Sequence, residues 1–286
     1  MAVGFAILAA ALFGLLAVSL RTALRRQPSP DAGIAATGLI GLGTSALVAA
    51  ASGLDGGDFA LHDLWPFLAT GTVVPGFSQL LLIRAVRDAG PARTSVVIGT
   101  APVISALLAI TLLGEPLQAG LAIATLLIVS GGFVLAREQE RPHGFKLAGL
   151  AFALGCAWLF AGRDNVVRWA ATDAHPNPLV ASAASLAAAS AVTLGVALAR
   201  GHGHRVMRSF RPFLPAGLSL GLAYTSLLVA FDRGRVVVVA PLNATQSLFA
   251  VAIAALVFKR AEMIGPRLIV AALLIVAGGA LVGATR

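Results

Sequence analysis

Apolar residues run through this chain in long unbroken blocks, and the polar punctuation falls between them. Ten blocks stand out, at about 3–22, 33–52, 66–86, 93–113, 117–136, 146–166, 179–199, 213–231, 236–258 and 264–284. Each is close to the ~20 residues that carry a helix across the hydrocarbon core of a bilayer. Only helices and closed barrels satisfy every backbone N–H and C=O in lipid, and barrel strands alternate apolar with polar positions. These blocks do not alternate, so the pattern predicts an all-α membrane protein of ten transmembrane helices. The first block has no basic residue ahead of it, the wrong order for a cleavable signal peptide, and reads as the first helix. Short connections collect Pro, Gly and charge, such as "RRQPSPDAG" (25–33) and "ARGHGHRVMRSFRP" (199–212). No long soluble domain is predicted.

The two halves of the chain echo one another. "LLIVSGG" (126–132) returns 147 residues later as "LLIVAGG" (273–279), and Glu115 meets Glu262 at the same offset. "PFLATG" (66–71) pairs with "PFLPAG" (212–217), "RDAG" (87–90) with "FDRG" (231–234), and "PSPDA" (28–32) with "PNPLV" (176–180). The expectation is a duplicated five-helix unit, residues 1–140 and 141–286, divided near the highly charged "REQERPHG" (137–144). An odd number of crossings inserts the second copy upside down. Inverted repeats with a site at their interface are a recurring plan of secondary transporters.

Composition narrows the class. The chain is 58% hydrophobic and 12% charged, against about 25% charged in soluble domains, and its mean hydropathy is +0.90. A net charge of +9 would suggest nucleic acid in a soluble protein. Here the arginines sit between apolar blocks, where the bias of cytoplasmic loops toward Lys and Arg places them, so no nucleic-acid partner is expected. Sixteen Lys and Arg fall after odd-numbered blocks and five elsewhere, while the connection 53–65 carries Asp55, Asp58 and Asp63. The distribution predicts an inner or plasma membrane protein with both termini away from the cytoplasm. A single cysteine, Cys156, permits no intrachain disulfide. The histidines at 62, 143, 175, 202 and 204 all read as loop residues, and "GHGH" (201–204) is a solvated loop before it is a metal site. No nucleophile elbow, zinc helix, Walker loop or cysteine pair occurs, so no enzyme, metal or cofactor is expected.

The Gly-Glu-Pro at 114–116, its partner Ala261-Glu262, and the Gly-Gly segments that follow each resemble the repeat of EamA-type transporters, in the drug/metabolite transporter superfamily. Phe13-Gly14 and Trp158 match places where that family often has Trp-Gly. The resemblance implies a carrier of small polar metabolites, amino acids or drugs, with export the expected direction. It also implies that helices 1, 3, 4, 6, 8 and 9 line a central cavity and helices 5 and 10 lie outside it. A lipid-linked sugar flippase of the same superfamily and a non-transporting membrane scaffold are the alternatives.

Polar groups inside membrane spans are costly and therefore informative. Ser78 and Gln79 follow a Pro75-Gly76 break in helix 3; Thr100 lies in helix 4, Tyr224 in helix 8, and Asn243 and Gln246 share one face of helix 9 after Pro241. These six are the candidate substrate-binding residues, with interhelical hydrogen bonding as the competing role. Arg163 and Asp164, closing the sixth block, are either a coupling pair or interface anchors. Glu115 and Glu262 head helices 5 and 10, where a carboxylate meets the positive end of the helix dipole; both read as structural caps. The glycines at 131–132 and 278–279 allow close helix approach, within one chain or across a homodimer. The partners expected are therefore a small-molecule substrate and the lipid bilayer, the protein being a monomer or homodimer.

Overall fold

The computed structural model describes residues 2–27, 29–52, 61–101, 103–104, 108, 123, 126–128, 130–131, 134, 144–170, 177–234, 239, 242–258 and 265–284. Glu115 and Glu262, His143 and His175 lie outside the described residues, as does the side chain of Asp164. The helices are α1 (Ala2–Arg26), α2 (Pro30–Ala51), α3 (Leu61–Gly71), a wide helical turn (Thr72–Phe77), α4 (Ser78–Ala89), α5 (Pro91–Ile98), α6 (Leu147–Ala170), α7 (Pro178–Ala199), α8 (Gly203–Arg233), α9 (Gln246–Phe258) and α10 (Pro266–Ala284). No strand occurs among the described residues. Ala2–Arg26, Pro30–Ala51, His62–Ala89, Pro178–Ala199 and Gly203–Arg233 are each long and apolar enough to cross a membrane, and three shorter apolar helices cover the sixth, ninth and tenth blocks. The chain is a multi-pass helical membrane protein.

Local chemistry sets the helix ends. Pro30 and Pro178 open α2 and α7 from the first helical positions, where a missing N–H costs nothing. Asn177 caps α7 by accepting from the Leu179 N–H at 3.0 Å. Gly90 ends α4 at φ 88°, a left-handed conformation that costs glycine nothing, and Pro91 restarts the chain as α5. Gly201, at φ 71°, folds the chain back after α7 so that the His202 N–H reaches the Ala197 carbonyl at 2.8 Å. That six-to-one bond is the usual closure of a helix by glycine.

The structure corrects the expected boundaries around 199–212. Helix α8 already begins at Gly203 and carries Pro212 and Pro215 within it, so most of that connection is helical and His204 lies in the first turn. Likewise His62 sits in the first turn of α3. Glycine, proline and charge suggested a loop, but Val206, Ser209 and Phe213 recur at helical spacing and are buried. Phe213 lies over Gly33 so closely that a Cβ there would stand 2.2 Å from its ring.

Helix α2 packs against α7 and α8 and scarcely touches α1, its neighbour in sequence. Helix α3 joins that group through α7, whereas α4 packs on α6, and α5 lies between α6 and α9. Helix α1 runs between the groups, against α8 and α9. Small residues allow the α2–α8 contact: a Cβ on Gly221 would meet the Gly41 carbonyl at 2.6 Å. The same seam holds a buried ring of hydroxyls, with Ser45 2.9 Å from Ser182 and 3.0 Å from Thr225. Gly131 of the first repeat motif rests on Ala271 and Ile275 of α10, so this glycine serves packing within the chain. Gly221→Ala must push two backbones apart, an overpacking cost of about 1–3 kcal/mol. Its thermal midpoint in detergent should fall below the parent's, and an unchanged midpoint would show that the seam gives way freely.

Candidate functional site

The third span is continuous in sequence but not in geometry. Pro75 lacks an N–H, and Val74 leaves the helix for extended angles (φ −136°, ψ 114°), so the ladder is interrupted halfway along the span. The freed Val74 carbonyl accepts the Tyr224 hydroxyl at 2.8 Å. Tyr224 itself is 3% exposed, and its oxygen accepts from the Arg163 guanidinium at 3.3 Å. That guanidinium lies 5.6 Å from the Phe160 ring and 5.8 Å from the Tyr224 ring, within the range of cation–π attraction.

A cavity opens beside this chain of contacts. It is lined by Phe13 of α1, Val74, Pro75, Ser78 and Gln79 of the broken span, Phe160 and Arg163 of α6, Tyr224 of α8, and Asn243 and Gln246 at the head of α9. About 20 Å³ is open to the centre of a water molecule, enough for one or two waters. A metabolite-sized ligand therefore requires the walls to move apart. Arg163 is the charged side chain among these lining residues, and none of them is a carboxylate.

Two acceptors in the cavity wall are left over. The Gln79 Oε1 and Asn243 Oδ1 atoms are buried and have no hydrogen-bond partner. Leaving such a group unpaired costs about 1–3 kcal/mol, and native proteins keep few of them. Ser78 is held differently, its hydroxyl donating to Pro75 O at 3.3 Å while the Cys156 thiol donates to its carbonyl at 3.2 Å.

Five of the six candidate substrate residues thus come together: Ser78, Gln79, Tyr224, Asn243 and Gln246. Thr100 does not join them. Its hydroxyl donates to Val97 O at 2.8 Å just beyond α5, the local bond that threonine makes within a helix. Arg163 lies well inside α6, which runs on to Ala170, so it faces the cavity rather than closing the span. The aromatic residue that α6 brings to the site is Phe160; Trp158, two residues earlier, is half exposed. Phe160 and Val74 are the lining residues that sequence reasoning missed, while Pro75 was named only as the helix break.

Comparison with known proteins fits this geometry. Residues 1–137 match the EamA-like transporter family. The EamA-like segment ends near the expected division between the halves, and it contributes Phe13, Val74, Pro75, Ser78 and Gln79 to the cavity. One solved structure, described only as the crystal structure of a protein, superimposes with a TM-score of 0.67 at 19% identity. The match covers 98% of this chain and 95% of the other, so the likeness of fold extends past the EamA-like segment through the second half. No curated protein matches the chain.

Proposed function

We propose that this protein is a secondary transporter that carries small polar solutes, metabolites or amino acids or drugs bearing polar groups, outward across the cell membrane. In this reading ten crossings form two inverted five-helix units, 1–140 and 141–286, which expose the cavity alternately to either side. The observation that carries it is the cavity at the broken third span, where five spans meet and two buried amide oxygens await donors. Broken helices with amides at mid-membrane are where transporters of this plan hold substrate. Gln79, Asn243 and Gln246 offer hydrogen bonds, and Arg163 offers donors to an anionic or acceptor group, so solutes with both a carboxylate and donors suit the site best.

Single Ala variants at Gln79, Tyr224, Asn243 and Gln246 test it. Each truncation removes a partner of a buried polar substrate group, worth about 1–3 kcal/mol, or roughly 5- to 150-fold in apparent affinity. Uptake into inverted vesicles, normalised to membrane content, is the measurement. Four variants that transport like the parent would reject the cavity as the substrate site.

A further inference from the structure

Helix α8 is longer than the membrane it crosses. Between Arg211 and Asp232 it carries no charge, and that stretch rises about 31 Å, which already matches a hydrocarbon core about 30 Å thick. Residues 203–210 therefore extend to the level of the lipid headgroups. One side of α8 carries exposed residues at steps of three and four, from Leu222 through Leu218, Pro215, Arg211 and Arg208 to His204, and that spacing keeps them on one face. Leu214 and Met207 flank the row, Met207 being 76% exposed. The opposite face, with Val206, Ser209 and Phe213, is buried against the protein. The stripe that faces lipid along the span thus runs on, without changing side, into arginine.

Arg205 is exposed beside that row, so three cations stand within the first three turns of α8. The place is unfavourable for them. A helix start carries the positive end of the dipole, and like charges three apart weaken a helix. Among the described residues no carboxylate lies within ion-pair distance of Arg205, Arg208 or Arg211. The acids described at this end are already engaged, Asp31 with Arg84 and Arg200, and Asp88 with Arg87. A further exposed cation, Arg26, is held at the same corner, because its neighbour Gln27 donates to Ser209 at 2.8 Å.

We propose that the start of α8 is a binding site for an anionic phospholipid, whose phosphodiester sits between Arg208 and Arg211 while its acyl chains lie along Leu214, Leu218 and Leu222. Guanidinium forks match the oxygens of a phosphate, and clustered arginines at a membrane surface attract anionic lipid. Met207, apolar and exposed one turn before Arg211, finds apolar surroundings where lipid covers this face. Arginines that served membrane insertion alone could stand anywhere in the connection. Nothing in that role would align them with the lipid-facing leucines. The site is separate from the cavity and does not depend on the transport reading.

The test needs no transported solute. The full chain carries Cys156→Ala, removing its single cysteine, and Leu214→Cys bearing a bimane fluorophore. It is reconstituted into phosphatidylcholine bilayers holding a minority of lipid with spin-labelled acyl chains. Quenching by spin-labelled phosphatidylglycerol, relative to spin-labelled phosphatidylcholine, reads the lipid preference at the stripe, whichever way the protein is inserted. The parent should prefer phosphatidylglycerol about fivefold at low salt, and molar sodium chloride should bring the two lipids toward parity. Arg208→Gln combined with Arg211→Gln should lower the preference below about twofold. Arg267→Gln, at the head of α10, which packs on α5 and α9, should leave it as in the parent. Equal quenching by phosphatidylcholine in every variant checks that each is folded and inserted. If the double variant does not insert, Arg211→Gln alone decides, with about half the parent's preference expected. A parent without preference, an Arg208/Arg211 variant that keeps it, or an equal loss in Arg267→Gln would each overturn the site. Loss of the preference to millimolar inorganic phosphate at constant ionic strength would assign the arginines to a soluble anion and overturn the lipid.

Discussion

Gln79→Met should give a protein that melts no lower than the parent and transports far less. The argument starts from the unpaired Oε1 of Gln79, in a side chain 5% exposed. A side chain that serves only to join helices loses stability when its polar head is removed. Here no protein partner is lost, and Met fills nearly the same volume without an acceptor to desolvate. The gain is up to the ~1–3 kcal/mol that an unsatisfied buried group costs. The bound solute, by contrast, loses the acceptor for one of its donors, and its apparent affinity should fall roughly 5- to 150-fold. Thermal unfolding and vesicle transport on the same preparation separate the two effects. A lower midpoint with unaltered transport would make Gln79 helix glue and remove it from the site.

How much of this was legible in the sequence depends on the distance over which each feature is determined. The all-helical membrane class followed from the lengths of the apolar blocks, because the bilayer imposes that length on each helix separately. The cavity's polar wall was legible for the same reason: Ser78, Gln79, Asn243 and Gln246 each stand out against their own span, and Pro75 marks the break beside them. Arg163 was harder. It seemed to close the sixth block, and only the continuation of α6 to Ala170 puts it inside the protein. Thr100 shows the opposite outcome, a hydroxyl in a span that donates within its own helix and lies away from the cavity lining.

The ion pairs that Asp31 of α2 makes with Arg84 and Arg200 were not legible at all. Arg84 and Arg200 lie 53 and 169 residues from Asp31, and each looked like an ordinary basic residue of a cytoplasmic loop. The sequence halves, residues 1–140 and 141–286, also say nothing of which helices pack together: α2 packs with α7 and α8 rather than with α1. Packing has interleaved the halves, and no local signal encodes which helix crosses over.

Both termini should lie outside the cytoplasm, and the structure sharpens the reason. The ends of the first, third and seventh spans meet at one face: the Arg21 guanidinium donates to the Arg87 carbonyl, Arg84 and Arg200 share Asp31, and Gln27 donates to Ser209 at 2.8 Å. The backbone N–H of Lys146, ahead of α6, joins them through the Asp88 carbonyl at 2.8 Å. These ends belong to the connections that hold sixteen of the 21 Lys and Arg, and loops rich in those residues stay cytoplasmic. With that face inward, the start of α1 and the end of α10 point outward. A fluorescent protein that matures only in the cytoplasm should be dark when fused after Arg286 and bright when inserted in the 137–144 connection. Moving the excess by changing Arg205, Arg208 and Arg211 to Gln should weaken the bias without inverting it, since thirteen basic residues remain on that face against five. A bright fusion after Arg286 in the parent chain would mean that the basic face points outward.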